Sequence, residues 1–320
     1  MDSVAPPGAP RWHVHAILAI VQLAAASGAV EGKLAMAPVA QGGEGVTPLA
    51  MTHARMIGTA VLLWALVALG RSRTKTRPLP GDHARVFGLA VLGIAVNQTL
   101  FIAGLARTAS STAALLAATI PVMTGGVAWL TAGARPKAGT WLGFGLAFVG
   151  VAILVGLDGV ATARLDVGAL LIVANCACYS AFLVLGRGVM ARRGALRVTA
   201  EAFSWGALLL APFALSVLRA EVAVWTPRAW MLVLYMVLFP TALTYGLNAW
   251  ALKRAEPTTV TAWIYAQPLL AAACAWLQLG VLPPGRFFVA TPFVFLGLGL
   301  ALFSDRREAT GVPGQNSGSP

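Results

Sequence analysis

Apolar residues fill this chain in long blocks separated by short polar connections. Ten blocks can be drawn, at 15–38, 48–70, 84–105, 109–132, 138–156, 167–188, 199–218, 229–250, 257–280 and 286–304. A helix needs about 20 apolar residues to cross the hydrocarbon core of a bilayer, and each block comes close to that length. Backbone amides find no water there, so each block is expected to be an α-helix; the alternation of a membrane strand is absent. A proline-rich lead precedes them at 1–12, and the Gly-, Pro- and Ser-rich stretch at 305–320 is expected to be a disordered cytoplasmic tail. One Arg ahead of the first block gives it some look of a signal peptide. The many later blocks and a poor cleavage region favour a retained helix instead.

The pattern nearly repeats itself after 147 residues, matching Pro121 with Pro268, Trp129 with Trp276, Gly133 with Gly280, Pro136 with Pro283 and Gly150 with Gly297. Ala95/Ala242, Leu105/Leu252, Arg107/Arg254 and Thr112/Thr259 keep the same register. Apolar composition makes chance Ala and Leu matches common, but it rarely aligns Pro, Trp and Gly together. Two repeats follow, 13–157 and 158–304, each holding five blocks. An odd number of crossings makes the second repeat enter the membrane upside down. The expected fold is an all-α integral membrane protein of ten transmembrane helices, arranged as two inverted five-helix repeats. Repeats of that kind mark secondary transporters, with the substrate site between the halves near the bilayer midplane.

Composition narrows the class further. The 320 residues are 58% hydrophobic and 11% charged, with a mean hydropathy of +0.78; a soluble domain carries about 25% charged residues. A net charge of +12 would suit a nucleic-acid binder only if Lys and Arg formed a patch on a soluble face. Here they fall between the apolar blocks and set orientation. One side receives Arg11, Arg71, Arg73, Lys75, Arg77, Arg85, Arg135, Lys137, Arg187, Arg192, Arg193, Arg197, Lys253, Arg254, Arg306 and Arg307, sixteen of the 23. The other receives Lys33, Arg107, Arg164, Arg219, Arg228 and Arg286. This bias puts both termini in the cytoplasm of a multi-pass protein of the cytoplasmic membrane. Eight and twelve crossings stay open on charge alone; the repeat favours ten. No cofactor is expected. Cys176, Cys178 and Cys274 lie inside apolar blocks and form neither a disulfide framework nor a metal spacing. His13, His15, His53 and His83 show no ligand spacing either, and no Walker loop, Asp-rich Mg²⁺ pair or nucleophile elbow is present in the sequence.

A buried ionisable group is expensive in a membrane and is by default a functional candidate. Among the acidic residues only Glu31 sits clearly within a block. Lys33 follows two residues later, a spacing that does not share a helix face. Glu31 and Arg55 both lie about 10 Å inside their block ends, counted at 1.5 Å per residue, and are expected to approach each other or to share a substrate. The bland alternative is that Glu31 and Lys33 snorkel to the outer interface. Pro121 and Pro268 fall mid-helix in matching places of the fourth and ninth blocks, where each would free a backbone carbonyl. Interrupted helices in corresponding places of two halves point to a binding site. Thr119, Tyr265 and Gln267 stand near these prolines, and Asn97, Gln98, Asn175, Tyr179, Tyr245 and Asn248 add polar groups at membrane depth. Such groups face inward and hydrogen-bond, some to substrate and some merely between helices. Trp141, Trp225 and Trp230 fit interface belts, and Gly143, Gly145, Gly150, Gly297 and Gly299 fit close helix packing.

Two stretches resemble a known family. Gly93-Ile94-Ala95-Val96-Asn97-Gln98-Thr99-Leu100-Phe101 leads through Thr108-Ala109-Ser110 to Pro121, and Pro240-Thr241-Ala242-Leu243-Thr244-Tyr245 leads through Asn248-Ala249-Trp250-Ala251-Leu252 to Gln267-Pro268-Leu269-Leu270. Both are similar to the EamA-type branch of the drug/metabolite transporter superfamily. Arg55 matches a frequent family Arg in helix 2, and Lys33 a frequent Lys closing helix 1. The resemblance implies ten helices in two inverted repeats, a central cavity and export of small metabolites. Two positions depart from it: Val281 follows Leu279-Gly280 where the family often has Glu, and the aromatic common near Ala26-Ser27 is absent. The expected function is movement of an amino acid or related small metabolite across the cytoplasmic membrane, outward, by alternating access. The site would be bounded by helices 3, 4, 8 and 9. Its partners would be that substrate and membrane lipid, with proton or counter-substrate coupling and a monomeric or homodimeric state left open. Rival readings are a lipid-acting membrane enzyme, which would want acidic or His clusters at the interface, and a scaffold or sensor, which would leave the matched prolines unexplained.

Overall fold

Helices account for nearly all of the described chain, and no strand occurs among the described residues. The structure, a computed structural model, describes residues 12–71, 79–132, 138–155, 166–244, 247 and 263–309. The first repeat holds α1 (Trp12–Met36), α2 (Pro48–Leu66) and α3 (Asp82–Arg107), which changes to a π-helix over Val91–Val96. It continues with α4 (Ser110–Ala117), α5 (Ile120–Ala132) and α6 (Ala138–Val155). The second holds α7 (Val167–Arg193), α8 (Ala195–Val222) and α9 (Pro227–Val237), which runs on as a π-helix over Leu238–Leu243. A 3₁₀ turn at Trp263–Ala266 then leads into α10 (Gln267–Leu279), and α11 spans Gly285–Ala309.

Five helices are long and apolar enough to cross a bilayer alone: Trp12–Met36, Pro48–Leu69, Asp82–Arg107, Val167–Arg193 and Ala195–Val222. The fourth block, expected as one helix, is two, α4 and α5, inclined by 42°. The last helix continues to Ala309, past the block end at 304.

Local chemistry sets the helix ends. Thr47, Asp166 and Thr226 each turn a side-chain oxygen onto an otherwise unpaired amide, those of Ala50, Ala169 and Ala229. Pro48 and Pro227 occupy first-turn positions where a missing N–H costs nothing. Gly194 alone separates α7 from α8; its φ of 83° is one that a side chain would strain.

The repeat of the sequence is also a repeat of structure. Helices begin at Pro48 and Ala195, at Ile120 and Gln267 and at Ala138 and Gly285, and the π-helices cover Val91–Val96 and Leu238–Leu243, each pair 147 residues apart. Helix contacts exchange under the same shift. α1 packs on α9 as α7 packs on α3, α1 on α10 as α7 on α5, and α2 on α9 as α8 on α3.

Two equivalent helices pack directly on each other and run in opposite directions. The Thr47 amide at the start of α2 donates to Glu221 near the end of α8 at 3.0 Å, and Trp64 Nε1 near the end of α2 donates to Ser204 near the start of α8, also at 3.0 Å. α6 and α11 do the same. A Cβ on Gly150 would lie 2.6 Å from Val294 and 3.1 Å from the Ala290 carbonyl, and one on Gly297 would lie 2.4 Å from the Ala147 nitrogen and 2.5 Å from the Gly143 carbonyl. The shift maps one contact set onto the other, and only glycine lets these backbones approach so closely.

Polarity runs from inside to outside, as lipid requires. Leu130 and Leu277 are 74% and 75% exposed, whereas Asn97 and Asn175 are 2% and 8% exposed. Ala29, Leu105, Leu115, Ile172, Phe287 and Val294 form one buried cluster between the repeats; Met56, Ile94, Phe182 and Phe203 form a second.

Candidate functional site

Breaks in the helices come first, because they free backbone groups at depth. Pro121 and Pro268 prove to be the second residues of α5 and α10, not interior residues of continuous helices. The fourth block is already interrupted at Ala118–Thr119, and a first-turn proline has no intrahelical bond to lose. The carbonyl of Leu116 receives the Thr119 amide at 3.0 Å, the Thr119 hydroxyl at 2.6 Å and Cys176 Sγ at 3.7 Å. The Ile120 carbonyl receives the Ser180 hydroxyl at 3.2 Å. The broken fourth span is thus held from α7. Thr119 also borders a shallow apolar crevice, otherwise lined by Val122, Met123, Ala147, Phe148 and Val151, that has no room for a metabolite.

The π-helices are a second disturbance, and π-bulges frequently accompany functional sites. Gly93 in the first receives the Phe182 ring, and Pro240, its counterpart in the second, presses on Gly28 of α1. Just beyond the first, Asn97 Nδ2 donates to the Asn175 carbonyl at 2.9 Å and Asn175 Nδ2 to the Asn97 carbonyl at 3.0 Å. This reciprocal pair fastens α3 to α7. Gln98 Nε2 donates to Asn97 Oδ1 at 3.1 Å. Its Oε1 is buried with no hydrogen-bond partner among the described residues.

A polar junction lies where α1, α2, α3 and α9 meet. The Arg55 guanidinium of α2 stands 5.4 Å from the centroid of the Phe101 ring of α3, within range of a cation–π attraction. Gln98 and Phe101 are three residues apart and share a face of α3. On the other side of the junction, Ser27 Oγ of α1 and Tyr235 Oη of α9 are 2.7 Å apart, and Tyr235 stacks on Phe239 at 4.5 Å.

Glu31 and Arg55 lead to different neighbours. Among the described residues, Arg228 of α9 and Gln278 of α10 are polar groups that act on the Glu31 carboxylate, and Arg55 stands over Phe101. Lys33 is not a simple anchor: its ammonium bonds the Thr108 carbonyl at the end of α3, where a helix dipole favours a cation. Thr108 Oγ1 in turn donates to Asp166, the cap of α7, at 2.6 Å.

Of the remaining candidates, Tyr179 stacks on Phe182 at 6.3 Å, centroid to centroid, in the cluster between α2, α3, α7 and α8. Gln267 opens α10 beside the buried Pro268. Tyr245 and Asn248 lie outside the described residues, and of Pro121 and Tyr265 only the backbone is described. The structure therefore sets Arg55 over Phe101, with Gln98 one turn away along α3, places Asn97 and Thr119 at helix joints, and sets Tyr179 in a separate cluster.

Sequence reasoning missed Ser27, Tyr235 and Glu201. Glu201 lies within α8, 13% exposed, and pairs with Arg193 at 2.6 Å and with Arg197 at 3.5 Å. Its position inside the block at 199–218 was the available signal. No residue pattern announces a π-helix or a Ser–Tyr contact between distant blocks.

Similarity to known proteins agrees with this architecture. A protein of Archaeoglobus fulgidus named as an uncharacterized transporter is 25% identical over 265 residues, 82% of this chain and 89% of its own. A probable terminal-alkyne amino-acid exporter of Streptantibioticus cattleyicolor is 26% identical over 276 residues, 85% of this chain and 90% of its own. A solved crystal structure, 19% identical, matches with a TM-score of 0.56 over 93% of this chain and 100% of its own, a likeness of fold alone. The sequence pattern of the EamA-like transporter family matches twice, over residues 15–156 and 166–303. With two family repeats over the same halves that its helices repeat, the chain belongs to the EamA-like transporter family.

Proposed function

We propose that this protein exports an amino acid or a closely related small metabolite across the cytoplasmic membrane, by alternating access between two inverted five-helix repeats. The observation that carries this reading is the antiparallel packing of equivalent helices, α2 on α8 and α6 on α11. Ten crossings with both termini in the cytoplasm are the arrangement that fits this packing, the basic connections and the family together. A pseudo-twofold axis of that kind makes inward- and outward-facing states near mirror exchanges of the two halves.

The substrate class follows from the junction of α1, α2, α3 and α9. Arg55 supplies a fixed cation for a carboxylate, Gln98 Oε1 an unused acceptor for an ammonium group, and Phe101 an apolar face between them. The name of the Streptantibioticus relative supports an amino-acid-like substrate and the outward direction. No enzymatic step is needed for this function. Glu31 is the candidate for proton coupling, with exchange of one substrate for another as the rival drive.

The experiment is an efflux assay in cells lacking their own exporters, with a panel of amino acids and analogues, followed by uptake into inverted membrane vesicles. Expected is export of at least one α-amino acid, abolished by Arg55→Gln at equal protein level. Full export by the Arg55→Gln variant would remove the proposed site, and movement of no panel compound would remove the substrate class.

A further inference from the structure

The halves are tied together at both ends of the antiparallel pair α2/α8 by ion pairs outside the junction of Arg55, Gln98 and Phe101, one of whose arginines, Arg228, also faces Glu31. At the end where α2 begins, the Glu44 carboxylate, 8% exposed, accepts from the Thr226 hydroxyl and lies 3.5 Å from Arg228 Nη1. Glu221 alongside accepts from the Thr47 amide at 3.0 Å and the Thr47 hydroxyl at 2.5 Å. At the end where α8 begins, the Asp82 carboxylate, 2% exposed, accepts from Arg192 Nη2 at 2.7 Å and from the Leu79 amide at 3.0 Å. A 28-residue helix such as α8 rises roughly 42 Å, so these ends lie a membrane thickness apart.

The two ties are equivalent. The first joins the connection after α1 to the first turn of α9. The second joins the last turn of α7 to the start of α3. The 147-residue shift carries Thr226 onto Leu79 and Arg228 onto Gly81, the neighbour of Asp82. The shift likewise carries Glu44 onto Ala191, the neighbour of Arg192, so the charges stand within one residue of equivalent places with their signs exchanged. In both, the acid belongs to the first repeat and the arginine to the second.

We infer that Glu44–Arg228 and Asp82–Arg192 are a matched pair of latches. The first closes the outer mouth and the second the inner mouth, and they are released in alternation as the halves rock. Both are closed in the structure. This rests on the carrier reading above. Each carboxylate is nearly buried while its arginine is 53% or 37% exposed, so neutralising the carboxylate removes the attraction that holds that mouth shut and favours the state in which the mouth is open to water.

The test places a cysteine at Ser27, in the junction, in the full chain, and labels it with a membrane-impermeant maleimide in right-side-out and inverted vesicles. The parent chain, with Cys176, Cys178 and Cys274, sets the background. Expected is slow labelling of Ser27→Cys alone and an increase on the order of tenfold from outside when Glu44→Gln is added. Adding Asp82→Asn instead should give a similar increase from inside. The reversed pair Glu44→Arg/Arg228→Glu should restore slow labelling, which also guards against a variant that merely misfolds. Unchanged labelling, an increase from the same side in both variants, or no recovery in the reversed pair would overturn the latches. Efflux is measured in parallel on chains that keep Ser27. Sided labelling with no panel compound moved would count against the carrier reading, whereas efflux without sided labelling would count against the latches alone.

Discussion

At the residue scale, the polar side chains of this chain divide by whether their hydrogen-bonding capacity is already used. Asn97 and Asn175 spend both amide groups on each other's backbone carbonyls, so they serve stability. Asn175→Ala should cost about 0.5–1.5 kcal/mol, because it removes a buried hydrogen bond between α3 and α7. Denaturation in detergent should register that loss, while substrate affinity in the surviving folded protein stays close to the parent's. Gln98 has capacity left over. Gln98→Leu should raise the apparent KM for export several-fold with little change in stability, read from concentration-dependent efflux. Glu31 belongs to the same scale. If it carries protons, Glu31→Gln abolishes substrate movement driven by a pH gradient while leaving exchange of internal for external substrate intact; gradient-driven movement that survives the substitution refutes coupling through this carboxylate.

Elements behave differently, because what matters is where a helix stops and how closely it approaches another. The matched prolines were legible as landmarks, yet their effect was not. Each starts a helix after a break, and a first-turn proline fits there without strain. Pro268→Ala should therefore change stability by no more than about 1 kcal/mol in thermal unfolding, far less than a proline in mid-helix would suggest. Glycines at the crossing of α6 and α11 are less forgiving. Gly297→Ala would place a Cβ 2.4 Å from the Ala147 backbone, which cannot move aside as a side chain can. Overpacking of this kind costs about 1–3 kcal/mol, and the loss should appear as a lowered melting temperature in detergent. Neither π-helix left a mark that the reading of residue types detected, although each makes a close contact with another helix, Gly93 with Phe182 and Pro240 with Gly28.

For the molecule as a whole, the repeat and the charge bias lead to one arrangement that fusion reporters can check. A reporter active only in the cytoplasm should work when inserted in the connection between α2 and α3 and fail in the connection between α1 and α2. The same reporter should work at either terminus. The reverse result at the two connections would turn the proposed orientation over and with it the naming of inner and outer latch.

The sequence by itself determined the solvent of this protein, the apolar blocks and the register of the repeat. These are one-dimensional properties: block length against bilayer thickness, and identity at a fixed spacing, both written in residue order. Depth was legible in the same way, since rise per residue is constant along a helix. Which polar groups meet was decided only by tertiary structure. Asn97 and Asn175 are 78 residues apart, Ser27 and Tyr235 208, and Glu44 and Thr226 182. Equal depth does not fix the neighbours of a side chain, Arg228 and Gln278 for Glu31 and Phe101 for Arg55 among them, because rotation about the helix axis is set by packing against the other helices, and no single block contains that information.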